Sequence, residues 1–372
     1  MKELIVYISQ IVDLRQERKV QHKLPDIVVM VLFATLAYAD TWEEIELFSR
    51  EHVDFLKEYL ELENGIPSHD TIQRVMAMIS PEVFESIQGK WHELMNRAEG
   101  EKIKKIICVD GKTMRGSAGR GRKANHIVSA WCDEDGFCLG EKKVEEKTNE
   151  IKAIPQLLDM VNISGNIVTI DAMGTQVDIA AAIKKKRADY VLSVKENQPS
   201  LYSEVSEYLK DVEFLEEIKK NGNYLRQAEK SHNQYEIREY YQTDNIKWMH
   251  EKTRWTGIKS IGCVKKTIKH SEGKTTEVRY YISSLKPDIA MFAKAVRQHW
   301  SVEVMHWHLD VTFKEDANKT IEKNSAQNMN IVRKWCLAIL KIFDAGKKIS
   351  LRSKRFMICN NPEKYLRQIM EL

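Results

Sequence analysis

The sequence predicts an α/β protein: a mixed five-stranded sheet with helices on its faces, preceded by a helical domain at residues 1–100 and interrupted by a β-rich insertion at residues 199–286. Three observations carry that expectation. Two β-branched, largely apolar runs, 106–109 and 166–170, each end in an aspartate with a glycine close behind, and short apolar runs of that kind read as buried strands. Between them, 126–132 and 137–144 flank the turn Asp133-Glu134-Asp135-Gly136, a hairpin signal. A helical stretch at 176–186 and a further apolar run at 190–194 complete the order strand, strand, strand, helix, strand, helix, strand, with the first helix at 149–161 and Pro155 as its weak point.

Taken in order, residues 1–100 have helical spacing. Asp26 follows Pro25 as a cap for an apolar helix from Ile27, 42–62 reads as a helix with an acidic outer face, and Ser68 or Asp70 caps a helix that carries Arg74. Bundles of this kind bind DNA in many proteins, but nine acids against two bases in 40–63 oppose a large phosphate footprint here. After the insertion, 287–345 is helical again, and 346–372 is a basic tail. Within the insertion, a helix at 202–219 leads to alternating segments at 234–241, 259–269 and 275–283.

Composition narrows the class. A chain of 372 residues with 43% hydrophobic residues buries a real core and holds more than one domain or one embellished domain. The net charge of +4 is mildly basic, yet the bases are bunched: 102–123 holds eight Lys or Arg around the single acid Asp110, and 341–355 holds six bases and one acid. Such stretches suit a polyanion, or form a solvated charged face. Six scattered cysteines make no Cys-x-x-Cys pair. The apolar run 27–39 falls short of the ~20 residues that cross a bilayer, and no signal-peptide order opens the chain. A cytoplasmic protein with no membrane contact is expected.

Asp110 and Asp171 end their strands in the same way. At one edge of one sheet they would lie side by side, where like charges resist joint ionisation unless a cation lies between them. Hard oxygen donors with few thiols nearby suit Mg²⁺, with Mn²⁺ as a substitute. The bland alternative is a strand-end aspartate capping a turn. A third carboxylate stands on a helix where His299, Glu303, His306 and Asp310 share one face by their spacing of four, three and four. The adjoining stripe Trp300, Val304, Trp307, Val311 suggests the side by which that helix packs on the sheet.

Several segments together resemble the DDE transposases of bacterial insertion sequences, in the branch called H-repeat-associated proteins. These are Val109-Asp110-Gly111-Lys112-Thr113-Met114-Arg115-Gly116-Ser117, Lys147-Thr148-Asn149-Glu150-Ile151, Thr169-Ile170-Asp171-Ala172-Met173-Gly174-Thr175-Gln176, Asp189-Tyr190-Val191-Leu192 with Lys195 and Asn197-Gln198, and His299-Trp300-x-x-Glu303 through Trp307-x-Leu309-Asp310-Val311. The resemblance spans nearly the whole chain. It implies an RNase H-like core in which Asp110, Asp171 and Glu303 bind two divalent ions, cleave the element's ends and transfer the 3′-OH strand to target DNA. It also implies double-stranded DNA, as terminal inverted repeats and target, for a partner, with a homodimer on paired ends.

Candidate DNA contacts are Lys112, Arg115, Arg120, Arg122 and Lys123 beside Asp110, Lys195 and Asn197 past the fifth strand, His299, and Arg352, Lys354 and Arg355 in the tail. Val304 stands where the branch has Asn beside its Glu. Two rival readings therefore accompany the first: a catalytically impaired transposase-derived DNA-binding protein, and a metal-dependent nuclease without strand transfer.

Overall fold

The structure, a computed structural model, describes residues 1–96, 104–119, 121, 123–144, 149–231, 234–270 and 273–372. Six helices open the chain: α1 (Lys2–Ser9), α2 (Leu24–Leu36), α3 (Trp42–Glu51), α4 (Val53–Leu56), α5 (His69–Met78) and α6 (Pro81–Asn96). Ser68 caps α5 by accepting the Thr71 N–H. Asp26 is not a cap: α2 starts at Leu24 with Pro25 in its first turn, and the Asp26 carboxylate turns inward to accept the N–H groups of Glu61 and Leu62. The stretch 42–62 is broken at His52 into α3 and α4.

The sheet begins with β1 (Ile106–Met114), β2 (Asn125–Cys132) and β3 (Phe137–Val144), followed by α7 (Glu150–Met160), β4 (Ile167–Ile170), α8 (Val177–Lys185) and β5 (Asp189–Val194). Pro155 is accommodated within α7. Then come α9 (Pro199–Lys210), α10 (Val212–Lys220), and β6 (Tyr224–Ser231), β7 (Gln234–Thr243), β8 (Ser260–His270) and β9 (Gly273–Ser283). Four helices finish the chain: α11 (Ile289–Trp307), α12 (Lys323–Ile342), α13 (Leu351–Asn360) and α14 (Pro362–Met370).

The five-stranded expectation is corrected. The sheet has nine strands in the order β3-β2-β1-β4-β5-β9-β8-β7-β6. The segment 199–286 is rich in strands but not separate from the main sheet, because β9 pairs antiparallel with β5 from Val191↔Ser283 to Val194↔Tyr280. The reason is physical: β5 would otherwise be an open edge of unpaired N–H and C=O groups, and β9 covers it. β4 pairs parallel with both β1 and β5.

Two apolar cores lie on the two faces. Alternation along β1 sends Ile107 and Val109 to the core shared with α7, α8 and α9, and Ile106 and Cys108 to the core shared with α2, α11 and α12. Burial on both faces explains the unbroken apolar runs of β1 and β4. The opening helices and the closing pair α13–α14 gather around α12, almost all of whose residues are buried. The basic tail is thus another correction: 351–370 is folded helix, with Ile358, Leu366 and Ile369 in the core. No helix among the described residues is long and apolar enough to cross a membrane. All six cysteines are free, and only Cys359 is exposed.

Candidate active site

The site is built where β1 and β4 run side by side under α11. Their register ends at Val109↔Ile170, so Asp110 and Asp171 follow as neighbours. By alternation Asp110 takes the face of Cys108, and Cys108 donates its thiol hydrogen to the Gln298 carbonyl of α11 at 3.1 Å. One step on, Asp110 Oδ2 stands 3.6 Å from His306 Nδ1 of the same helix. On β4, Thr169 Oγ1 lies 3.1 Å from His299 Nδ1.

Gly111 does not turn the chain as its place after Asp110 suggested: β1 runs on to Met114. Its glycine answers a different need. A Cβ there would stand 2.5 Å from Glu150 Oε1 and 2.7 Å from His126 Nε2, the buried pair that packs beneath it. Glu150 also raises the carboxyl of Asp171 through its charge, after burial and several nearer groups. The sequence reading gave no role to His126 or Glu150, although the segment Asn149-Glu150-Ile151 marked the place.

Asp171 lies just past β4, where the Gly174 N–H donates to its Oδ1 at 3.0 Å. The loop is braced from β5: Asn197 Nδ2 donates to the Ala172 carbonyl at 2.7 Å and Gln198 Nε2 to that of Thr175 at 3.1 Å. Asn197 thus helps hold the loop, and it remains exposed beside Lys195. Lys195 is exposed and lines an open groove of about 740 Å³ together with Asp171, Met173 and Tyr202.

Glu303 is an exposed residue, yet partial desolvation of its carboxyl and next the charge of Asp110 raise it above its ordinary value. Burial likewise raises Asp171, with Asp110 adding to it. At Asp110 burial is the largest influence, but His306 and the Gly111 N–H outweigh it and hold the carboxyl below its ordinary value. Burial lowers the His299 imidazole, against the pull of Asp110 and Asp171. Three carboxylates from three elements therefore sense one another's charge. No three His, Cys, Asp or Glu side chains among the described residues stand close enough to hold a metal ion. The donor chemistry still suits a hard divalent cation, since the candidate ligands are carboxylate oxygens and the ionisation of Asp171 and Glu303 is opposed by burial and by neighbouring charge.

The α11 stripe is another correction. Trp300, Val304, Trp307 and Val311 are 40%, 52%, 53% and 45% exposed, while Phe292, Ala295, Val302 and Met305 pack on the sheet. The helix buries the row on the other side, and tryptophan beside a polar row did not mark the buried face. α11 continues as a π-helical turn, His308–Thr312.

Lys112, expected to meet DNA, is buried. It donates to Asp310 at 2.7 Å and to Glu315 at 2.9 Å, and Glu315 also accepts from Asn330 at 2.8 Å and Arg333 at 3.3 Å. Its place on β1 two residues past Asp110 points it at the α11 side, where acids already wait. Arg355 is fully buried, with hydrogen bonds to the carbonyls of Thr35 and Thr312 and to Asp40. Lys354 donates to the carbonyls of Leu340 and Phe343 at the end of α12. Neither is open to a phosphate, because α13 is folded against α2 and α12. Arg352 is exposed and donates to Tyr38 Oη at 3.3 Å. Arg115 is 85% exposed at its side chain and Lys123 is exposed. Arg120 and Arg122 lie outside the described residues.

Comparison with known proteins shows the family to which the chain belongs. The family model "Transposase DDE domain" matches residues 101–339, and "DDE_Tnp_1-associated" matches residues 5–92. The chain is 40% identical to "H repeat-associated putative transposase YhhI" of Escherichia coli K12 over 95% of its own length and 94% of that protein's. It is 41% identical to "Putative transposase YncI" of Escherichia coli O157:H7, covering 92% of this chain and 88% of that one. A piggyBac transposase synaptic complex with hairpin DNA aligns over all of this chain and 78% of that one at 12% identity, with a TM-score of 0.39, too remote a likeness to carry weight. With its family model spanning the sheet and α11, and relatives of this identity over nearly the full length, the chain belongs to the DDE transposase family, among the H repeat-associated transposases.

Proposed function

We propose that this protein is a DNA transposase that cleaves the ends of an insertion sequence and joins the freed 3′-OH to target DNA, on an RNase H-like core with Asp110, Asp171 and Glu303 as its acids. The observation that carries the reading is the placement of the acids: the β1–β4 register ends at Val109↔Ile170, so Asp110 and Asp171 follow side by side, under the helix α11 that carries Glu303 and brings His306 to 3.6 Å from Asp110. Asp110, Asp171 and Glu303 would hold two Mg²⁺ ions, which supply activation of the attacking oxygen and charge neutralisation at the leaving one. His306 and the Gly174 N–H orient Asp110 and Asp171. Arg115 and Lys123 on one side, and Lys195 in the groove beside Asp171, would neutralise backbone phosphates. His299, seated on Thr169 between the acids, fits a positioning part better than a grip on DNA. Synapsis of two ends would require a second copy of the chain.

The test is cleavage and strand transfer with DNA that carries the element's ends, in Mg²⁺ or Mn²⁺. Asp110→Asn, Asp171→Asn and Glu303→Gln each abolish both reactions and keep DNA binding. Undiminished cleavage by Glu303→Gln removes Glu303 from the set. Cleavage without strand transfer gives the nuclease reading. Binding without cleavage by the parent gives the impaired remnant, the reading that Val304 beside Glu303 favours.

A further inference from the structure

β7, β8, β9 and α11 enclose a small cleft of about 110 Å³, walled by Arg238, Lys266, Arg279, Arg297, Tyr240 and Trp300 among others. Arg238 and Lys266 face each other directly across β7 and β8, an arrangement of like charges that costs stability unless something offsets it. Three carboxylates offset part of it. Glu229 accepts from Arg238 at 3.2 Å and from Arg297 at 3.3 Å, Glu236 pairs with Arg238 and, at 3.4 Å, with Lys266, and Glu277 accepts from Arg279 at 2.7 Å. In ion-pair contact, three carboxylates serve four cations. Burial, followed by Arg238, Arg279 and Arg297, pushes the Lys266 ammonium below its ordinary value.

Under these cations lies Tyr240, with no exposed surface and, among the described residues, no hydrogen-bond partner for its hydroxyl. Buried polar groups are paired as a rule, so a lone hydroxyl lining a cationic cleft is a donor with its acceptor still to come. Arg279 ties the cleft to the candidate active site: its charge and that of Glu303 favour each other, and its guanidinium stands 5.2 Å over the Trp300 ring on α11, one turn from Glu303.

We propose that this cleft is a phosphate pocket that grips one backbone phosphate of a DNA strand passing from Glu303 onto the insertion, with Arg238, Lys266, Arg279, Arg297 and the Tyr240 hydroxyl as donors. Clustered guanidinium and ammonium groups with a hydroxyl are the chemistry by which proteins hold such phosphates. The inference rests on the reading above that the substrate is DNA.

The experiment is an anisotropy titration of labelled duplex DNA across a salt series, without divalent ions, using the full chain. The double variant Lys266→Gln with Arg297→Gln binds roughly tenfold more weakly, and its slope of log affinity against log salt falls by about 0.9, the loss of one phosphate. Tyr240→Phe leaves the net charge and the fold intact, since its hydroxyl has no partner to lose. It weakens DNA binding roughly threefold or more and leaves the melting temperature equal or higher. Parental affinity and slope in both variants overturn the pocket. A changed slope with an unaffected Tyr240→Phe also overturns it, because the charges then act only as diffuse surface. Inorganic phosphate distinguishes the sources: protection by phosphate that the variants remove, with DNA binding unchanged, makes this a free-anion site and sinks the DNA assignment. If the parent never cleaves DNA yet these variants lose DNA binding, the pocket stands and the transposase reading falls.

Discussion

Two groups of acids lie two residues apart along β1 and are held in opposite ways. Around Lys112, the carboxylates of Asp310 and Glu315 close on an ammonium, and Arg333 and Asn330 complete the set. Around Asp110, the carboxylates of Asp171 and Glu303 meet one another's charge, two imidazoles and, at Glu303, the charge of Arg279. The first group is internally neutralised and serves the fold. The second lacks a matching Lys or Arg pair in hydrogen-bond contact among the described residues, and its chemistry asks for a cation from outside.

The largest effect that would break this contrast is on the first group. Breaking a buried ion pair by removing one partner costs about 3–5 kcal/mol, so Lys112→Met lowers stability by that amount in denaturant titration. Asp171→Asn, by removing repulsion, leaves stability unchanged or raises it. Equal losses in the two variants would erase the distinction.

The same contrast extends to pH. Lys112 and Arg333 overcome burial and hold the Glu315 carboxyl below its ordinary value. A carboxyl lowered in the folded state adds stability that is fully present above its unfolded value and is lost as pH falls through the folded one. Glu315→Gln therefore flattens the acid limb of the stability curve, and an unchanged limb would count against the pairing.

Next in size is the response to metal. An ion that binds only the folded state stabilises it by about 2.7 kcal/mol at a hundred times its Kd. Mg²⁺ or Mn²⁺ should raise the Tm of the parent and of Lys112→Met, but not of Asp110→Asn or Asp171→Asn. A rise that persists in both Asn variants places the ion elsewhere.

The smallest effect is that of Arg352, set against its α13 neighbour Arg355. Arg355→Leu leaves Asp40 with Lys314 alone and two carbonyls without their donor and costs several kcal/mol, whereas Arg352→Gln stays within about 0.5 kcal/mol. A thermal melt of each variant checks the pair.

Much of this was legible in the sequence, and the failures share a cause. The strand through Asp110, the strand before Asp171, the hairpin 126–144 and the helix of Glu303 follow from local pattern, because apolar periodicity reports burial within one element; the end of β1 does not, since it runs past Asp110 to Met114. Lys112 and Arg355 were misread because nothing in their own neighbourhood shows the acids of distant segments, Asp310, Glu315 and Asp40, that capture them. The union of β5 with β9 is likewise a pairing between residues some ninety apart in the chain, invisible to any short window. Glu150 escaped for the same reason: its partner His126 stands on another element, under a glycine whose purpose is visible only with both in place.

The continuity of the nine strands has a mechanical consequence. An insertion joined by a pair of loops would swing on a hinge, and DNA bound to it could shift without disturbing the acids. Here the ladder runs unbroken from β6 through β9 to β5 and β4. The sheet behaves as a beam, and torque applied at its far end is carried by hydrogen bonds to the strand that ends at Asp171. Any displacement of the insertion must appear as twist of the whole sheet, and so as a change in the spacing of the carboxylates themselves.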